Sequence, residues 1–251
     1  MALTNQPLLS GSVRKYAVMS MSPEDMAAFF ADEAAQCLSV LDARQGHSEP
    51  YLIELNLQQA AQNFLMSALI DWRHGLADPR PRLRLAMEQC LRAVRVLPML
   101  HTPTPPSLRF RFFDVVFLGL LLDASPPEGC LALIRECQAT ARAEVGLDYA
   151  LAAALLGEAS ALEIAIPGAE GPKRQLLMRD TYSAYAELLK GNSEQMPLAE
   201  ANFVRRRSDA FYSGGLQIDG GGPDNGHVID YRLAAIIKAR KLPVESLHVL
   251  I

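Results

Sequence analysis

Aromatic side chains are scarce in this chain: 7% of 251 residues, with a single Trp. Cysteine is scarce as well. Cys37, Cys90, Cys130 and Cys137 are the only four, and none sits in a CxxC pair. Disulfide frames belong to short secreted chains, and a chain of this length buries about three-quarters of its extended surface without covalent staples. A basic surplus is also missing. The formal charge is −4, which counts against nucleic-acid binding, a task that needs cations for the phosphates. The longest apolar run, Val115 to Leu122, has eight residues, whereas a membrane helix needs about 18. Met1 to Ser12 lacks the charged start and apolar stretch of a secretory leader. These absences predict a soluble, cytoplasmic chain with reduced thiols and no membrane partner.

What is present is Ala, Leu and helical periodicity. Half of the residues are hydrophobic and 21% are charged, the composition of a folded globular chain. Ser22-Pro23-Glu24-Asp25 reads as an N-cap, an N1 proline and an acidic first turn. The helix it opens carries an apolar stripe through Met26, Phe29, Phe30, Ala34, Cys37, Leu38 and Leu41 and runs to Gly46. Further helices are predicted over Leu52–His74, closed by Gly75, and from Pro81 until Pro98 stops it. Thr102-Pro103-Thr104-Pro105-Pro106 breaks the pattern. Residues 107–123 are apolar nearly all round and read as a central buried helix. Helices then follow from Ser125 to about Val145, from Gly146-Leu147-Asp148 through Leu162 and Ile166, from Pro172 to Lys190, over Met196–Phe211 and from Asp230 to before Pro243. Residues 213–226 form a glycine-rich loop, with at most a short pairing near Leu216 to Ile218. The expectation is an all-α chain of about nine helices packed as antiparallel pairs in loosely repeat-like fashion. A single domain over 1–251 is expected, with 102–106 as the place for any sub-boundary.

Charge is unevenly placed. Residues 1–75 hold 4 basic and 8 acidic side chains, 76–111 hold 7 and 2, 112–170 hold 2 and 9, and 171–251 hold 11 and 9. The block charges are therefore −4, +5, −7 and +2. Such a division either gives an acidic face that steers a basic partner, or lets the basic third helix dock on acidic neighbours. Glu24, Asp25, Asp32 and Glu33 form two acidic pairs on the first helix. The first pair suits the helix dipole and the second faces solvent. Arg109, Arg111 and Asp114 interrupt an apolar helix, where 111 and 114 have ion-pair spacing. Trp72 reads as a core or interface anchor.

No motif for chemistry stands out. Gly221-Gly222-Pro223 matches neither a P-loop nor a dinucleotide fingerprint, and Pro223 removes an amide that would bind an anion. Arg205-Arg206-Arg207 spans nearly a full helical turn and lacks interleaved aromatics. The five histidines are scattered singly. His227 and Asp230 read as caps of the last helix, and Cys130 and Cys137 as parts of one apolar stripe, so no metal site or cofactor is predicted. A chain of this size without a catalytic cluster reads as a binding protein.

Three stretches resemble the all-helical immunity proteins of bacterial polymorphic toxin systems, in particular the immunity protein 49 family. They are the helix from Leu57-Gln58-Gln59-Ala60-Ala61 to Asp71-Trp72-Arg73-His74-Gly75, the succession of helix pairs with glycine stops, and the ending Val228-Ile229-Asp230-Tyr231-Arg232-Leu233 through Leu242-Pro243-Val244. The glycine-rich segment 213–226 stands outside the pattern. The resemblance implies a cytoplasmic antitoxin that covers the active site of one cognate toxin domain. Contacts are then expected from the acidic helix surface at Glu24, Asp25, Asp32 and Glu33, from Trp72, and from Gln217, Asp219, Asp224 and Asn225 in the loop. A helical-repeat adaptor or chaperone holding a peptide in a groove is the alternative.

Overall fold

Ser22 starts the first helix with a reciprocal cap. Its Oγ accepts from the Asp25 amide at 3.1 Å and donates to Asp25 Oδ2 at 2.9 Å, which satisfies a first-turn N–H that has no partner within the helix. Helix α1, Pro23–Ala43, buries Met26, Ala27, Phe30 and Ala34, the three-and-four spacing of a one-sided helix. The computed structural model describes residues 21–43, 49–96, 112–140, 143–158, 182–205 and 228–243. Among them the chain is all-α, with no strand.

Helix α2, Pro50–His74, packs along α1. Ser67 Oγ donates to the Ala27 carbonyl at 2.6 Å, and Cys37 Sγ meets Gln59 Oε1 at 4.0 Å. Partner numbers fall on one helix as they rise on the other, so these two run antiparallel. Gly75 ends α2 at φ +64, with the Leu76 amide donating to the Asp71 carbonyl at 3.0 Å. That left-handed turn is where a side chain would be strained. Every residue from Asn63 to Asp71 is buried, so the second half of α2 is a central helix.

Helix α3, Arg80–Val96, packs on α2 and on helix α4, Asp114–Leu121. The latter is the apolar segment expected to be central, and it is buried from Asp114 to Gly119. Its helix is shorter than the expected 107–123: Phe112 and Phe113 form a turn before it, and residues 107–111 lie outside the described part. At its other end Asp123 takes φ +54, and Lys238 reaches across to the Leu121 carbonyl at 2.9 Å and Asp123 Oδ2 at 2.7 Å. The helix ends two residues short of the expected Asp123, where the left-handed Asp123 lets the Ala124 amide donate to the Gly119 carbonyl at 2.8 Å.

Helix α5, Cys130–Thr140, begins after Gly129 turns the chain at φ +75, later than its proline-rich lead-in predicts. Helix α6, Ala143–Leu155, starts ahead of Gly146 rather than at it. It closes early, at Gly157 with φ +108, where the Glu158 amide donates to the Ala153 carbonyl at 3.0 Å. Leu162 and Ile166, assigned to this helix from sequence, lie outside the described residues. Residues 182–189 form α7, closed at Gly191 with φ +93 and the Asn192 amide on the Glu187 carbonyl at 3.0 Å, the predicted glycine stop. A short 3-10 helix, Ser193–Gln195, leads into helix α8, Met196–Arg205, and helix α9, Tyr231–Arg240, completes the described elements. One hydrophobic cluster runs from Met26 to Leu242. The proline-rich stretch 102–106, the glycine-rich segment 213–226 and the short pairing at 216–218 are outside the described residues.

Candidate functional site

Asp230 caps α9: its Oδ1 accepts from the amides of Arg232 at 3.2 Å and Leu233 at 3.3 Å. This is the predicted cap, and the helix dipole favours a carboxylate there. Two residues later the same turn sends Arg232 inward. Its side chain is 0% exposed, and its Nη1 donates to Asp148 Oδ1 on α6 at 2.7 Å. Its Nε stands 3.7 Å from Asp230 Oδ1, and its guanidinium carbon lies 5.7 Å from the Tyr231 ring centre. Burial pulls the Arg232 pKa down. Asp148 above all, then Tyr182, Tyr185 and Asp230, outweigh burial and hold the group well above its ordinary value, so it stays charged.

The carboxylates around it are held by tyrosines. Tyr182 donates to Asp148 Oδ1 and Tyr185 to Asp230 Oδ2. Tyr231 donates to Asp114 Oδ1 at 2.6 Å. Tyr182 and Tyr185 stand edge to face at 5.6 Å, as do Phe113 with Tyr149 at 5.2 Å and Phe117 with Tyr231 at 5.8 Å. Two carboxylates, Asp148 and Asp230, thus face one guanidinium in a region closed to solvent, and a third, Asp114, is tied to the same cluster through Tyr231. The hydroxyl and amide donors offset a charge balance that the single cation leaves negative. The arrangement joins α4, α6, α7 and α9. Its chemistry is that of a lock, because none of its acids or its base presents a face to solvent.

The acids proposed from sequence lie elsewhere. Glu24, Asp25 and Asp32 are exposed and Glu33 is half-buried on α1. Glu24 and Asp32 are eight residues apart on one stripe of that helix, about 12 Å along its axis. Trp72 is half-buried against the core in the last turn of α2. The antiparallel register sets that turn beside the start of α1, so Trp72, Glu24 and Asp25 share one end of the helix pair. Asp32 and Glu33 sit two turns away. Gln217, Asp219, Asp224, Asn225, His227, Arg109 and Arg111 are outside the described residues. Asp114, expected to pair with Arg111, accepts from Tyr231. On α3, Arg82 pairs with Asp71, the expected docking of a basic helix on an acidic neighbour. Arg80, Arg84, Arg92 and Arg95 remain exposed.

The lock leaves only scattered traces in the sequence. Asp148 is the one acid among Leu147 to Leu156. Tyr182 and Tyr185 have helical spacing on one face. Arg232 places a cation in a first helical turn, where the dipole disfavours it. Among the described residues no group of three or more His, Cys, Asp or Glu could hold a metal ion, and no helix is long and apolar enough to cross a membrane. No family model, curated protein or solved structure matches the chain.

Proposed function

We propose that this chain is a non-catalytic immunity protein that binds and blocks one cognate toxin domain in the bacterial cytoplasm, the activity its resemblance to the immunity protein 49 family implies. The observation that carries the reading is α1. Over Pro23–Ala43 it holds Glu24, Asp25, Asp32, Glu33 and Asp42 and no Lys or Arg. Its exposed stripe sets acids among Ala28, Ala35 and Ser39, small residues that let a partner approach the backbone closely. An acidic face raises the association rate of a basic partner and orients it. A helix already ordered by its cap and by α2 adds little ordering cost on binding. The buried lock supports the same reading, because it spends Asp148, Asp230 and Arg232 on rigidity.

The test is whether a toxin-domain protein is encoded beside this chain, and co-expression with it. Growth is rescued and the two proteins elute together at 1:1 stoichiometry if the reading holds. A toxin that stays lethal and never co-elutes with the folded chain overturns it. Substituting Asp32 and Glu33 by Lys weakens binding and flattens its salt dependence; unchanged affinity and salt slope remove α1 from the interface.

A further inference from the structure

The basic third helix spends one arginine on its neighbour and leaves four in solvent. Arg82 pairs with Asp71, while Arg80, Arg84, Arg92 and Arg95 are exposed and make no ion pair among the described residues. At 100° per residue, Arg84, Glu88, Arg92 and Arg95 fall on one stripe of α3, opposite its buried Leu83, Ala86, Cys90 and Ala93. Arg84 and Arg92 are eight residues apart, about 12 Å along the axis. Glu24 and Asp32 on α1 have the same separation.

The residues between them also match. Glu88, the one acid on the arginine stripe, stands midway between Arg84 and Arg92, and Ala28 stands midway between Glu24 and Asp32. An antiparallel approach that sets Arg84 against Asp32 and Arg92 against Glu24 therefore sets Glu88 against Ala28, not against an acid. It also aligns the two helix dipoles favourably and brings Arg95 to the end of α1 that carries Asp25. The same spacing inside one molecule is unused: α1 and α3 each pack on α2, and their charged stripes face solvent.

We propose that the arginine stripe of α3 docks on the acidic stripe of α1 of a second copy of this chain. Each copy offers one of each stripe, so a twofold pair forms two identical contacts and closes without leaving either stripe open. Exposed ion pairs are individually weak and are screened by salt. The pair is therefore a concentration-dependent dimer that dissociates at high ionic strength. The inference stands apart from the immunity reading, since it concerns the protein alone. If both hold, a basic partner on α1 competes with the second copy.

Sedimentation velocity on the purified full chain tests it, with two charge reversals, E24K/D32K on α1 and R84E/R92E on α3. The wild type associates at about 0.05 M salt and loses at least about tenfold in association constant by about 0.5 M. Each reversed variant alone sets like charges against each other and sediments as a monomer. Mixed one to one they restore a dimer, because the reversed basic α1 of one meets the reversed acidic α3 of the other at one contact, and the native α3 and α1 stripes meet at the second. Circular dichroism verifies that each variant keeps its helix content, and D32K with R84E replaces any double variant that does not fold. A wild type that stays monomeric, association indifferent to salt, or folded variants that fail to pair on mixing each overturn the proposal.

Discussion

Removing Arg232 leaves Asp148 and Asp230 buried without the guanidinium that faces both. Breaking one side of a buried ion pair costs more than the pair is worth, because the stranded charge keeps its desolvation penalty. Arg232→Met, which keeps the bulk, is expected to lose about 3–5 kcal/mol of unfolding free energy, read as a lower urea midpoint at unchanged slope. Tyr185→Phe removes one donor to Asp230 and leaves the amides of Arg232 and Leu233. Its cost is about 1.5–3 kcal/mol, the range for a hydrogen bond to a charged group. A surface pair behaves differently. Lys190 Nζ donates to Glu187 Oε1 at 3.0 Å, and that bond, followed by the charge of Lys190, holds the Glu187 carboxyl below its ordinary value. Lys190→Ala therefore raises the Glu187 pKa toward the usual carboxylate range, a shift that an NMR titration of the side-chain carboxyl resolves, with little change in stability.

At the scale of elements, glycine stops decide where helices end, and they make opposite predictions at two caps. Gly75 ends α2 at φ +64 with open space around it, so Gly75→Ala costs only backbone strain, about 1–2 kcal/mol. Lys241 ends α9 at φ +51 although it is not glycine, so Lys241→Gly stabilises by up to about 1 kcal/mol; thermal unfolding of the two variants shifts in opposite directions. The same stops explain what was legible beforehand. The caps at Ser22, Gly75, Gly191 and Asp230 are local chemistry, and sequence reading places all four. The contact of Lys238 with the end of α4 joins residues 117 apart in the chain, and the burial of the whole Asn63–Asp71 segment depends on what surrounds α2. Neither is encoded in a local period. The lock shows the same limit: Asp148, Tyr182, Tyr185 and Arg232 are individually odd, but only folding brings α6, α7 and α9 together around one guanidinium.

For the whole molecule, the net charge of −4 conceals a division that the fold makes spatial. Part of the basic block is absorbed where Arg82 meets Asp71, and part of the polar sequence disappears into the lock. The acidic stripe of α1 and the arginine stripe of α3 remain in solvent, and they carry the proposals for a toxin and for a second copy. Positions expected at the interface from residues 213–226 lie beyond the described structure, so the binding reading rests on α1 and Trp72. Its most direct test is the affinity for the full chain of a toxin domain encoded beside it, measured by calorimetry at low and high salt with wild type and with Asp32 and Glu33 replaced by Lys. The account predicts a 1:1 complex whose affinity falls with salt and falls further, with a shallower salt slope, in the substituted protein. A toxin domain that does not bind the folded chain contradicts it.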